Sequence, residues 1–280
     1  MIAKSRGAAI DYVQGFKSNM IWDAWRMAVE DLTQREIYTG ADLLPAISGL
    51  AKAVGKLQKL PEENYIAGIW ENDLALSLLW ATQIRKPETG SRDSTKMPRR
   101  SDRNPSWSWA SIDNGCISFR EKGNGHSRLE PMGELQVIQK IKIVPVEGGN
   151  RFGQISEGHL YLRGGVKKAR VTGNLALKDD HEWSKFRCPR FSIEDLRVGA
   201  SFGWFIPDES DKPCQEISVL PVWTWISLEP RGDIMSGLAL SPTGNSNNEF
   251  CLPEYRRVGI VTDIPDFQFK NHEVQELALV

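Results

Sequence analysis

The sequence has no CxxC pair, no long apolar run and almost no net charge. Its four cysteines, Cys116, Cys188, Cys214 and Cys251, are spread too thinly along 280 residues for a disulfide scaffold. They are expected to be free and buried. The first residues, MIAKSRGAAIDYVQGFK, lack the apolar core of a signal peptide, and no stretch is long and apolar enough to span a bilayer. No Asn-x-Ser/Thr acceptor occurs, and the expected location is cytoplasmic. The histidines, His126, His159, His181 and His272, show neither HxH nor HExxH spacing, so no metal site is expected. Glycine-rich phosphate loops are absent, which leaves nucleotide chemistry without a visible seat and no cofactor expected. A formal net charge of -1 removes any global attraction to nucleic acid or an anionic membrane.

What is present is the composition of a folded domain: 40% hydrophobic and 25% charged residues, in a chain long enough to bury a sizeable core. Up to about residue 85 the pattern is helical. In NMIWDAWRMAVEDLT, Ile21, Trp22, Trp25, Val29 and Leu32 recur at steps of three and four, with Ser18 or Asn19 as the cap. ADLLPAISGLAKAVGKL repeats the pattern through Leu43, Ile47, Leu50, Val54 and Leu57, and Pro45 is tolerated if the helix starts near Asp42. NDLALSLLWAT predicts a third, short helix capped by Asn72.

Residues 86–104, KPETGSRDSTKMPRRSDRN, are basic and nearly devoid of apolar side chains, and read as a flexible linker. From Pro105 the pattern alternates. SWSWAS, GCISF, ELQVIQKIKIVPV, HLYLRGGVKKARVT, KFRCPRFSI, SFGWFIP, EISVLPVWTWISL, SGLALSP, YRRVGIVTD and VQELALV predict strands, separated by Gly, Pro, Asn and Asp. The expected fold is α+β: a helical part at 1–85 packed on a mainly antiparallel, sandwich- or barrel-like β domain at 105–280.

Four features bear on chemistry. Trp107 and Trp109, two residues apart, would share one face of a strand, where they either stack on a ligand or fill the core; the core is the expectation, as for Trp223 and Trp225. Gly199, Ser201 and Gly203 match GxSxG, but the nucleophile elbow needs a strand before the serine and a helix after it, and WFIPDES reads as a strand. A serine hydrolase at Ser201 is therefore the alternative to a non-enzyme, and a carbohydrate-binding module with exposed tryptophans is a further one. Arg92, Lys96, Arg99, Arg100 and Arg103 have no aromatic neighbour for stacking a base, and a solvated linker is expected. Lys167, Lys168 and Arg170 read as an exposed strand face.

Several segments together resemble the fungal heterokaryon-incompatibility (HET) family, in the region that follows its signature domain. DLLPAISGLAKAV carries Leu44, Pro45, Ala46, Gly49, Leu50 and Ala51; YIAGIWENDLALSLLW carries Tyr65, Ala67, Gly68, Trp70, Leu79 and Trp80. NPSWSWASIDNG carries Pro105, Ser106, Trp107, Ser108, Trp109 and Ala110, and EYRRVGIV carries Tyr255, Arg256, Arg257 and Gly259. ISVLPV, GLALSP and VQELALV resemble the family's closing strands. The resemblance implies an accessory, regulatory or recognition region of a HET-like protein without its effector domain, a truncated member or a fragment, with these motif residues structural in role. It implies no catalytic residue. Any partner expected is a protein, with neither nucleic acid nor membrane implied.

Overall fold

The computed structural model describes residues 20–35, 40–85, 99–100, 103–113, 115–119, 127–131, 136–179, 186–196, 199, 201–209, 214–227, 233–266 and 272–280. The protein is α+β, with few helices and mainly antiparallel strands. Helix α1 covers residues 20–33 and buries Trp22, Trp25 and Val29. The expected caps, Ser18 and Asn19, lie outside the described residues. Helix α2, Leu43–Gln58, follows a 3-10 turn at Gly40–Asp42, so Pro45 sits in the first turn where no intrahelical acceptor is lost. Its buried residues are Leu43, Leu44, Ile47, Ala51, Val54 and Gly55.

The helical reading of residues 1–85 holds only in part. A tight hairpin, β1 (Tyr65–Ile66) and β2 (Ile69–Trp70), turns through Ala67 and Gly68, both at positive φ. The expected third helix shrinks to one turn, α3 (Leu74–Ser77), preceded by a 3-10 turn at Glu71–Asp73. Its last residues instead form strand β3, Trp80–Arg85. Helical spacing in LALSLLW is satisfied equally by a buried strand, because nearly every residue there is apolar.

Short strands β4 (Arg99–Arg100) and β5 (Ile112–Asp113) pair with each other, and β6 (Cys116–Phe119) pairs with β3 at the edge of the main sheet. Thr33 Oγ1 and Glu30 Oε1 of α1 accept from the Ile117 and Phe119 amides, at 3.0 and 2.6 Å, so the helix covers this edge strand. Strands β7 (Ser127–Pro131), β8 (Gln136–Val137) and β9 (Lys142–Pro145) follow; the single strand expected in ELQVIQKIKIVPV is thus two.

Strands β10 (Ile155–Asp179), β11 (Phe186–Asp195), β12 (Ser201–Pro207), β13 (Glu216–Ser227), β14 (Ile234–Pro242) and β15 (Glu254–Pro265) close on themselves in the order β10-β13-β14-β15-β12-β11-β10, every pairing antiparallel. The result is a six-stranded barrel. Each strand contributes to its interior: Ala169, Phe191 and Ile193, Phe205, Ile217 and Val219, Met235 and Ala239, Val261 and Ile264. A barrel of this size has an interior that side chains fill. The last strand, β16 (Glu273–Leu279), lies antiparallel to the first half of β10.

Alternation along the same strands builds a second core outside the barrel. Leu160, Leu162, Ile206, Leu220, Leu238, Leu240 and Ile260 turn away from the interior and pack with Trp22, Trp25, Trp70, Trp80, Trp107 and Trp109 in one cluster. This is why EISVLPV and SGLALSP read as unbroken apolar runs: both their faces are covered. It also means that the expected division between a helical part and a β domain does not divide this core. Residue 85 ends a strand of the main sheet, and β3 pairs with β11 as well as β6. Of the linker expected at 86–104, residues 86–98 and 101–102 lie outside the described residues.

Candidate functional site

The segment Pro105–Ala110 is not a strand. Residues 106–108 form a turn and Trp109–Ser111 a 3-10 helix, started by Ser108, whose Oγ accepts from the Ala110 amide at 3.1 Å. Serine caps compete with strand pairing through such local bonds, which overrides the alternating pattern. The two indoles do not stand side by side on a strand face, yet each is fully buried. No ligand platform exists at Trp107 and Trp109.

Trp109 reaches the hairpin. Its Nε1 donates to Gly68 O at 2.8 Å, while Ser108 Oγ donates to Ala67 O at 2.6 Å, so one turn clamps the other. A Cβ at Gly68 would lie 2.7 Å from Trp109 Nε1, and with φ at +91° only glycine fits. Tyr65 and Trp70, on either side of the turn, are buried against Trp25 at ring separations of 6.0 and 6.3 Å.

Trp107 links the same segment to the sheet. Its carbonyl accepts from Trp80 Nε1 at 3.0 Å, and its ring packs on Gly158 of β10, as does Pro105. Trp107 Nε1 has no hydrogen-bond partner among the described residues. Ser106 meets both ends of the β15–β16 region: its amide donates to Val280 O at 3.1 Å, its hydroxyl donates to the same oxygen, and that hydroxyl accepts from the Arg257 amide at 2.9 Å.

Arg257 stands at the centre and is fully buried. Nε and Nη2 donate to the two carboxylate oxygens of Asp208, at 3.1 and 3.0 Å, a fork-to-fork ion pair. Nη1 donates to Leu78 O at 2.6 Å and Nη2 also to Trp80 O at 2.5 Å. The guanidinium lies 3.3 Å from the centroid of the Trp80 ring. Gly259, two residues on, lets β15 approach β12 closely, since a Cβ there would lie 2.3 Å from Ile206 O. Asp208 carries no mark in the sequence beyond being an acid at the end of an apolar strand. Arg257 is marked in the sequence only as part of the EYRRVGIV motif, since a register shift between Gly259 and Arg257 breaks the strand parity it would otherwise share with Val261.

The expected motif residues therefore divide. Tyr65, Ala67, Gly68, Trp70, Leu79, Trp80, Pro105, Ser106, Trp107, Ser108, Trp109, Ala110, Arg257 and Gly259 are buried and meet around this knot. Leu44 and Ala51 are buried on α2, whereas Pro45, Ala46, Gly49 and Leu50 are exposed; Tyr255 is half-buried and Arg256 exposed. The Ser106 and Ser108 hydroxyls donate to main-chain carbonyls, and the Arg257 charge is compensated by Asp208.

The remaining expectations fall elsewhere. Ser201 is an exposed first residue of β12, paired with Glu194, and a strand rather than a helix follows it, so the elbow geometry is absent. Lys168 and Arg170 are exposed, but Lys167 is not a free surface charge: its Nζ pairs with Asp195 at 2.7 Å. Trp223 is partly buried against the outer core, and the side chain of Trp225 lies outside the described residues. Arg92, Lys96, His126 and His181 lie outside them too, as do the side chains of Arg99, Arg100 and Cys188. Arg103 is exposed beside Asp113, at 3.5 Å. Cys251 is exposed, and Cys116 and Cys214 are half-buried. Among the described residues no group of three or more His, Cys, Asp or Glu side chains could hold a metal ion, and no helix is long and apolar enough to cross a membrane.

Comparison of the chain with protein-family models, with curated proteins and with solved structures finds no match.

Proposed function

We infer that the chain is a non-enzymatic accessory or recognition region of a HET-like fungal protein, acting in the cytoplasm through a protein partner. One observation carries the reading: the residues of the resemblance come from segments far apart in the sequence and interlock, with Ser106, Trp107, Ser108, Trp109 and Arg257 each no more than 4% exposed. A catalytic or sugar-binding motif needs a face open to its substrate. A motif buried this deeply, with its hydroxyls and its charge taken up inside the chain, suits a folding signature that joins helices to barrel and leaves recognition to the outer surface.

Two experiments test it. Joined behind an incompatibility effector domain in a filamentous fungus, the chain is expected to control growth arrest, and a variant with a broken knot, Arg257→Met, to lose that control. An effector that arrests growth equally with and without the chain overturns the accessory role. Labelling by a fluorophosphonate probe that disappears in Ser201→Ala would replace the non-enzymatic reading with a serine hydrolase.

A further inference from the structure

Helix α2 is apolar beyond the side it buries. Leu50 and Leu57, seven residues apart, are 44% and 69% exposed, and Ala46 and Ala53 beside them are exposed as well. At 3.6 residues per turn these four positions fall within an arc of about 60°. Two leucines at heptad spacing with small residues between them form a seam on which the side chains of a second helix can seat with a close backbone approach. The helix holds no acidic residue; Lys56 lies about 60° and Lys52 about 100° round from the Ala53 edge of the stripe, both on that side, with Lys59 at the C-cap. None of the three makes an ion pair among the described residues; Lys52 Nζ stands 5.5 Å from the Phe152 ring centroid.

We propose that this face of α2 is a docking surface for an acidic amphipathic helix of a partner protein. Charge complementarity selects that occupant. A second copy seated by the same face would set lysine against lysine. The two longest segments of this chain outside the described residues are a poor electrostatic match: residues 1–19 carry three basic side chains against one acidic, and residues 86–98 three against two. A lipid surface would suit lysines beside leucines, but interfacial helices bury a broad face rich in large and aromatic residues, and this stripe alternates leucine with alanine. The proposal goes beyond the accessory-region reading and does not rest on it, since it concerns the exposed face of α2 rather than the buried knot and is read by direct binding.

The test uses the full chain and two fluorescein-labelled peptides of about three heptads, leucine at the seam positions with glutamate flanks in one and lysine flanks in the other. The glutamate peptide is expected to bind, more weakly as salt rises. Leu50→Ser/Leu57→Ser and, separately, Lys52→Glu/Lys56→Glu should each weaken it at least about tenfold, and the charge-reversed variant should gain the lysine peptide. Urea midpoints accompany each variant; if the leucine variant unfolds early, the charge reversal decides alone. Absent binding, or binding that neither variant changes, overturns the proposal. So does flotation with phosphatidylserine-containing vesicles that the same variants abolish, which would assign the face to a membrane.

Discussion

Arg257 lies over the indole of Trp80, its guanidinium carbon 3.3 Å from the ring centroid, and donates to the carbonyl of that same residue at 2.5 Å. One side chain thus fixes both the ring and the main chain at the point where β3 begins. With Asp208 and the Leu78 carbonyl it brings together parts of the chain up to 179 residues apart.

Removing one partner of a buried ion pair leaves the other charge uncompensated, which costs about 3–5 kcal/mol. Arg257→Met is therefore expected to lower the urea midpoint steeply at unchanged slope. Arg257→Lys should fare little better, since an ammonium cannot make the fork to Asp208 and the two carbonyl contacts together. Arg257→Met/Asp208→Leu should recover much of the loss. A double variant as unstable as the sum of the singles would show that the pair is not one unit.

Trp107 and Trp109 give a second prediction. Each is fully buried, so truncation to alanine should cost about 3–5 kcal/mol. Trp109→Phe separates packing from the hydrogen bond to Gly68 O, and about 1–3 kcal/mol is expected from the carbonyl left unpaired. Urea midpoints within about 0.5 kcal/mol of wild type in both alanine variants would be those of surface residues and would contradict the buried knot.

The turn under Trp109 adds a coupling test. Gly68→Ala places a Cβ 2.7 Å from Trp109 Nε1 at φ +91° and should cost well over about 1 kcal/mol. Part of that is collision with the indole and part is backbone strain. In Trp109→Ala the collision is gone, so the same substitution should cost less there, with a coupling of about 1 kcal/mol or more. Strict additivity would mean that the backbone alone rejects the side chain.

Sequence patterning revealed the periodic elements and missed the ones built on local chemistry. α1 and α2 follow from apolar spacing because each buries a broad face, and the barrel strands follow from short apolar runs between turn residues. The Pro105–Ala110 turn does not, because W-x-W alternation is the same whether the indoles line a strand or pack on separate parts of the fold, at Gly68 and at Gly158. The Arg257–Asp208 pair was legible only in half, since nothing local to Asp208 says that it will meet a residue 49 positions away. Barrel closure rests on β10 pairing with both β11 and β13, a long-range relation that no window of sequence contains.

The last prediction concerns alkaline pH. Tyr65 is completely buried, and its hydroxyl has no hydrogen-bond partner among the described residues, so burial pushes the phenol well above its ordinary value of 10.0. The raised pKa sets the sign: below pH 10 the phenol is neutral in both folded and unfolded chains, and it has no effect on the pH dependence. Above pH 10 the unfolded chain releases the proton while the folded chain keeps it. Stability then falls by up to about 1.4 kcal/mol per pH unit until the folded pKa is reached. Tyr65→Phe removes that slope. Because the hydroxyl is buried without a partner, its loss should also be neutral or stabilising at pH 7. Urea unfolding of wild type and Tyr65→Phe at pH 7, 10 and 11 reads both effects. A variant that loses stability above pH 10 as steeply as wild type would place the alkaline transition on another group, and one markedly weaker at pH 7 would mean that the hydroxyl is bonded in solution.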